Sequence, residues 1–346
     1  MKVAFLDRDG TLIFEPVDTE QIDSVEKLKI LPGVIEGLKR IKKAGYQLVM
    51  VTNQDGLGTR KFSESQFRKP QEKLLSLLKK EGVEFQKVFI CPHFEKDRCS
   101  CRKHKTGLVS KFVTQEKIDL DKSFMLGDRA TDLGFAKNLG VQGFKMDTNG
   151  TFPRLAFLER STRETSIFIQ CNLDGEGAYK IDTGLNFFNH MLEQLSKHSL
   201  IDLAIKAKGD LHVDEHHTVE DIGIVLGQVL SDALGSREGI GRFGFLVPLD
   251  ETLAEVVIDL GGRPYLKFHC EFKRPVVGDL PTELVEHFFK SFSDALRANI
   301  HINVRYGENE HHKIEAIFKA TARALRMACE RDPRRQNSLP STKGLV

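Results

Sequence analysis

The chain reads as two domains in series: an α/β domain built on an open parallel sheet, then an α+β sandwich with an internal duplication. Three observations carry this expectation. From residue 2 to about 132, short apolar runs of strand type alternate with helical periodicity, and polar residues close each run. That is the pattern of a parallel sheet whose site lies at the strand C-termini. After Asp147-Thr148-Asn149-Gly150-Thr151-Phe152-Pro153, a stretch with the texture of a connector, the order becomes strand-strand-helix-strand-helix, written twice. Finally, His216-His217-Thr218-Val219-Glu220 returns as His311-His312-Lys313-Ile314-Glu315. With 346 residues there is chain enough for two cores. The expected boundaries are 1–150, a connector over 151–160, and 161–346.

Composition narrows the partners. Fifty-one basic against 49 acidic residues leave a formal charge of only +2, which argues against nucleic-acid coating or a membrane surface. The basic run Arg331-Asp332-Pro333-Arg334-Arg335 is short and interrupted. No apolar run approaches the roughly 20 residues that span a bilayer. Asp7, Arg8 and Asp9 put charge where a signal peptide needs its hydrophobic segment. Six cysteines are too few for a disulfide framework, and three crowd into one loop with a histidine. A metal site in a reducing compartment follows, with the cytoplasm as the expected location.

In the first domain, strands are expected over 2–6, 47–51, 87–90 and 123–126, and helices over 33–44, 64–80 and about 108–116. The first strand ends in Asp7-Arg8-Asp9-Gly10-Thr11-Leu12, the second in Thr52-Asn53-Gln54, the fourth in Gly127-Asp128-Arg129-Ala130-Thr131-Asp132. Two residues apart in extended chain, Asp7 and Asp9 can face one cavity while Arg8 points elsewhere. One carboxylate can attack phosphorus while the other carries the leaving group's proton. Asp128 completes an oxygen-rich site suited to Mg²⁺. Thr52, Asn53 and Lys103 can hold the phosphoryl oxygens. D-x-D at a turn is weak alone; with the T-N-Q strand end, a lysine and G-D-x-x-x-D it is strong.

These blocks resemble, in order, those of the haloacid-dehalogenase-type phosphatases, which have a Rossmann-like fold. The resemblance implies an aspartyl-phosphate on Asp7, acid–base work by Asp9, and Mg²⁺ on Asp7, the Asp9 backbone carbonyl and Asp128. Within that group the domain is similar to the small histidinol-phosphate and heptose-bisphosphate phosphatases. Their hallmark loop is present as Cys91, His93, Cys99 and Cys101. Three thiolates and an imidazole suit a closed, structural Zn²⁺ site. His104 stands where that family's loop has proline.

In the second domain, strands are expected over 166–172, 179–182, 202–208, 254–260, 265–272 and 301–306. Helices are expected over 187–198 and 282–297, and from about 216 and 311. Neighbouring residues on a helix point about 100° apart, so vicinal histidines chelate one ion poorly and bridge two well. The Glu of each motif returns close to its first His. Each copy has an upstream partner, His190 before the first and His287 before the second. The tally of His190, His216, His217, His287, His311, His312, Glu220 and Glu315 is enough for two metals with three His and one Glu each, suiting Mn, Zn, Fe or Co. His212, His269 and His301 read as packing or surface histidines, and His198 as a pocket residue near Gln194.

From Arg163-Glu164-Thr165 to Ser341-Thr342-Lys343-Gly344 this half resembles the imidazoleglycerol-phosphate dehydratases. The resemblance implies two Mn²⁺ on those eight residues and acid–base catalysis by Glu164. It also implies phosphate binding by Arg242, Arg263, Lys319, Ser341 and Lys343, Gln194 as a substrate contact, and an oligomer of 24 copies with metals at subunit boundaries. Together the halves lead us to expect a fused, bifunctional enzyme of histidine biosynthesis acting on small phosphate esters. The rival expectation gives the phosphatase a sugar phosphate such as heptose bisphosphate.

Overall fold

A computed structural model describes residues 1–16, 21–146, 150–244, 247–332 and 339–341. The chain divides into two compact units, Met1–Pro153 and Arg154–Val346. The connector expected over 151–160 is therefore shorter than the composition suggested. Strand pairing claims the chain from Leu155 onward.

The first unit runs β1 (Val3–Leu6), α1 (Val34–Lys43), β2 (Gln47–Asn53), α2 (Glu64–Lys80), β3 (Lys87–Cys91), α3 (Ser110–Gln115), β4 (Phe124–Gly127), α4 (Ala130–Leu139) and β5 (Gln142–Lys145). Its sheet order is β3-β2-β1-β4-β5 with every pair parallel. β1 and β4 are buried along their whole length, so they read as continuous apolar runs. Ser63 starts α2 with a capping box to Gln66. Because the order turns at β1, the tips of β1 and β4 part there, and the D-x-D and G-D segments face the gap.

The second unit runs β6 (Leu155–Ser161), β7 (Thr165–Asn172), β8 (Tyr179–Asp182), α5 (Asn186–Ser199), β9 (Asp202–Gly209) and α6 (His216–Leu234). It continues as β10 (Phe243–Gly244), β11 (Val247–Leu249), β12 (Thr252–Asp259), β13 (Tyr265–His269), β14 (Val276–Val277), β15 (Leu280–Pro281), α7 (Glu283–Leu296), β16 (Asn299–Tyr306) and α8 (Glu310–Cys329). The two larger sheets have the orders β6-β7-β9-β8 and β10-β12-β16-β13, and β14 pairs with β15 separately. In each larger sheet, the long central pair is antiparallel and the last pair is parallel. The helices bury their apolar faces in a shared core that includes Phe188, Val225, Phe288, Phe292 and Phe318. Helices α6 and α7 approach closely at Gly227, where a Cβ would lie 2.6 Å from the Phe292 carbonyl oxygen. Among the described residues no helix is long and apolar enough to cross a membrane.

Candidate active sites

The first site lies at the tips of β1, β2 and β4. A cavity of about 250 Å³ is lined by Asp7, Asp9, Thr52, Asn53 and Lys103, with Glu15 and Arg129 also on its wall. Lys103 is almost wholly buried, and its Nζ lies 2.6 Å from both Asp7 Oδ1 and Asp132 Oδ1. Asn53 places it: its Oδ1 accepts the Lys103 backbone N–H at 3.0 Å, and its Nδ2 donates to the Lys103 carbonyl at 3.3 Å. Both ends of an amide expected to face phosphate are thus engaged in holding the lysine.

Arg8 does not turn away from the site as expected. It is fully buried, and its Nη1 donates to both Asp9 oxygens at 2.9 and 3.1 Å. Gln54 donates its Nε2 to Asp9 Oδ2 at 2.5 Å and to Thr52 Oγ1 at 2.9 Å. Burial raises the Asp9 pKa above its ordinary value, with Arg8 opposing and Asp7 adding to the rise. A carboxyl that holds its proton longer than usual is suited to donating it.

Carboxylate oxygens of Asp7, Asp128 and Asp132 lie within 4.8 Å of one another. Burial first, and then the Asp7 charge, raise both Asp128 and Asp132. A divalent cation would relieve that repulsion, so the donor set fits Mg²⁺. Gly10, at φ 71°, permits the arrangement, since a Cβ there would stand 2.3 Å from Asp128 Oδ2. Asp132 closes the G-D-x-x-x-D block, and only the fold brings it to Lys103. At the rim Arg129 Nη2 grips Glu15 at 2.7 and 2.6 Å, a pair that the sequence reading missed.

The Cys/His loop closes on itself. Cys91 Sγ lies 3.7 Å from Cys99 Sγ and 3.3 Å from Cys101 Sγ, while His93 Nδ1 lies 3.2 Å from Cys101 Sγ. Tetrahedral bonds of about 2.3 Å would set sulfur atoms about 3.8 Å apart, so these four residues fit Zn²⁺. Without a cation, burial pushes the Cys91 thiol up to about 12. Arg102, two residues before His104, donates to Asp55 and to the His93 carbonyl.

In the second unit the eight expected metal residues do not form two four-donor sets within one chain. Donor atoms of His190, His311 and Glu315 lie within 4.8 Å of one another. His216 Nε2 lies 3.7 Å from Glu220, and its ring centroid is 5.1 Å from that of His287. The partnership is therefore crossed: the upstream histidine of each half joins the motif of the other half. The reason is packing, because α5 lies against α8 and α6 against α7. The remaining two, His217 and His312, stand at 82° and 89° to their neighbours' rings, as vicinal positions on a helix require. Their Nδ1 atoms meet Asp210 and Glu251.

Glu164 is exposed at the turn between β6 and β7. Thr162 Oγ1 accepts its backbone N–H at 3.1 Å. Thr165 Oγ1 in turn donates to Asp221 Oδ2 at 2.5 Å, tying the turn to α6. Gln194 Nε2 stands 3.4 Å from His190 Nε2, and its Oε1 3.1 Å from His198 Nε2. Burial, then Lys319 and Arg323, lower the His198 pKa.

Among the described residues, members of the expected phosphate set lie in two places. Lys319 Nζ lies 2.7 Å from Glu315 Oε1, beside the His190 cluster. Arg242 pairs with Asp259 and donates to the Pro340 carbonyl at 2.8 Å, next to Ser341. Arg263 is exposed, and Lys343 lies outside the described residues. His212, His269 and His301 are exposed, as surface histidines should be.

Residues 2–149 match the family model described as polynucleotide kinase 3 phosphatase, and residues 183–325 the one described as imidazoleglycerol-phosphate dehydratase. The chain is 48% identical to a protein of Stenotrophomonas maltophilia (strain R551-3) named histidine biosynthesis bifunctional protein HisB, over 99% of both chains. A protein of the same name from Baumannia cicadellinicola is 46% identical over 100% of this chain and 99% of its own. A crystal structure of imidazoleglycerol-phosphate dehydratase from Staphylococcus aureus is 41% identical, covering 51% of this chain and 99% of its own, with a TM-score of 0.47.

Proposed function

The chain belongs to the family of histidine biosynthesis bifunctional proteins, and from that premise we propose which residues perform each of its two reactions. It is a dehydratase and a phosphatase of histidine biosynthesis. The end-to-end match to bifunctional relatives carries this reading and disfavours a heptose bisphosphate as substrate.

In the first unit the reaction is hydrolysis of histidinol phosphate to histidinol and phosphate. Asp7 attacks phosphorus, and the raised pKa of Asp9 lets it hand a proton to the leaving alkoxide and later take one from water. Lys103 and Thr52 hold the transferring oxygens, with Asn53 fixing the lysine's backbone. Mg²⁺ held by Asp7, Asp128 and the Asp9 carbonyl would neutralise charge on the phosphoryl group. Zn²⁺ on Cys91, His93, Cys99 and Cys101 would order the loop that carries Lys103.

In the second unit imidazole glycerol phosphate loses water to give imidazoleacetol phosphate. Glu164 removes the C–H proton, and the basic set of Arg242, Arg263, Lys319, Ser341 and Lys343 anchors the phosphate far from the reacting carbons. Gln194 orients the ring end of the substrate beside His190. Two Mn²⁺ would withdraw charge from the substrate imidazole. The split donor sets support an assembly in which His217 and His312 complete the sites of neighbouring copies, 24 copies by family resemblance. The matching strand orders of the two sheets support duplication of a half-length unit. The thiol cluster supports a reducing, cytoplasmic location.

The test is turnover by the purified full chain. Water loss from imidazole glycerol phosphate and phosphate release from histidinol phosphate should both be seen, with heptose bisphosphate turned over at least about tenfold more slowly. A preference for heptose bisphosphate would overturn the phosphatase assignment.

A further inference from the structure

We propose that Asp210 and Glu251 orient His217 and His312, the second histidine of each motif, one carboxylate for each copy. This rests on the reading that His217 and His312 are metal ligands. Asp210 Oδ2 and Oδ1 lie 3.1 and 3.3 Å from His217 Nδ1. Glu251 Oε2 lies 2.8 Å from His312 Nδ1. An ionised carboxylate can only accept, so each Nδ1 carries the hydrogen, and in the neutral ring Nε2 then keeps its lone pair for an ion.

The two carboxylates do not correspond in the repeat. Asp210 follows β9, whereas Glu251 sits in the turn between β11 and β12; the position matching Asp210, after β16, is Gly307. Two unrelated positions thus deliver the same contact to the same ring nitrogen. Glu251 is also pinned: its Oε1 accepts the Asn309 N–H at 3.0 Å, the Glu308 N–H at 3.4 Å and the Thr252 hydroxyl at 3.2 Å. Its Oε2 is left for the histidine.

That pinning gives Glu251→Gln a distinctive consequence. The amide oxygen stays with the loop N–H groups, so the NH₂ group meets Nδ1 as a donor. Nδ1 must then accept, the ring hydrogen moves to Nε2, and the ligating lone pair is lost. Asp210 has both oxygens on His217, so Asp210→Asn can turn its oxygen toward the ring and does less harm.

The experiment is calorimetric titration of the metal-stripped full chain with Mn²⁺, with phosphatase activity and the thermal midpoint of the metal-free protein as controls on folding. Glu251→Gln should weaken one Mn²⁺ site about 10–100-fold with both controls unchanged, and Glu251→Asp should recover most of that loss. Asp210→Asn should cost less than about tenfold and Asp210→Ala about 10–100-fold at the other site. If Glu251→Gln fails to fold, Asp210→Ala carries the test. Wild-type affinity in folded Glu251→Gln and Asp210→Ala, alongside weak binding in His312→Ala, would overturn the inference alone. Wild-type affinity in His312→Ala would overturn the ligand reading beneath it.

Discussion

The phosphatase and dehydratase sites are built on opposite plans. In the first, strand tips and one loop of a single unit bring every charged group together, and Lys103 and Asp132 have side chains only 3% and 0% exposed. In the second, donors are distributed along four helices, and His216 and Glu220 remain 40% and 43% exposed. A phosphoryl group is small enough to be enclosed at a sheet's switch point by one chain. Two of the proposed donors, His217 and His312, stand apart from both clusters and meet Asp210 and Glu251 instead. The contrast teaches that the first site should be indifferent to its neighbours and the second should depend on them.

The largest effect that would test this independence is at Asp7, the proposed nucleophile. Asp7→Asn should lower phosphate release by at least about a thousandfold and leave dehydration as in the wild type, measured on one preparation. Loss of both activities in a folded protein would break the comparison. Next, Glu164→Gln should lower dehydration about 10²–10⁴-fold while bound Mn²⁺ and phosphatase activity are retained, as metal analysis and the two assays would show. Metal loss with the activity would make Glu164 a structural residue.

Stability offers smaller effects that sharpen the contrast. Burial alone would raise the Asp174 carboxyl, but Arg154 and Arg331 hold it below its ordinary value of 3.8. Its folded pKa is depressed, so its stabilisation is fully present above 3.8 and lost as pH falls through the lower folded value. Asp174→Ala should cost about 3–5 kcal/mol, because it leaves Arg154 buried without its partner. Denaturant midpoints between about pH 5 and 2 should fall less steeply in the variant than in the wild type, and equal slopes would exclude the linkage. Smallest is Gly227→Ala, where the α6–α7 approach leaves no room for a methyl group. A loss of about 1–3 kcal/mol is expected by thermal unfolding, with phosphatase activity untouched.

The folds were legible where burial writes a plain pattern. β1, β2 and β4 are apolar runs with polar ends, and both HH-x-x-E helices begin at their motifs. β5 was missed because Gln142-Gly143-Phe144-Lys145 buries only Phe144 fully. β6 reads as connector because its apolar half, Leu155-Ala156-Phe157, follows directly on turn residues. The candidate metal residues are identifiable by type and repetition, but their crossed partnership is not. Which helix packs on which depends on side-chain fit in the shared core, which spacing along a chain does not encode. Glu251 was likewise invisible, since it meets His312 across 61 residues. Gln54 stood within the quoted T-N-Q block, yet only the folded strand tip shows it beside Asp9.

The crossing of His190 to Glu315, and of His287 to His216, makes the repeat inseparable in a specific way. A cut between α6 and β10 would divide the second unit between its two motifs, each part with an orphaned imidazole and a motif lacking its third donor. Neither fragment could assemble a cluster by folding alone, whereas mixing them would rebuild both at once. On the duplication proposed above, a half-length forebear would meet the same requirement by pairing with itself, each copy lending its upstream histidine to the other.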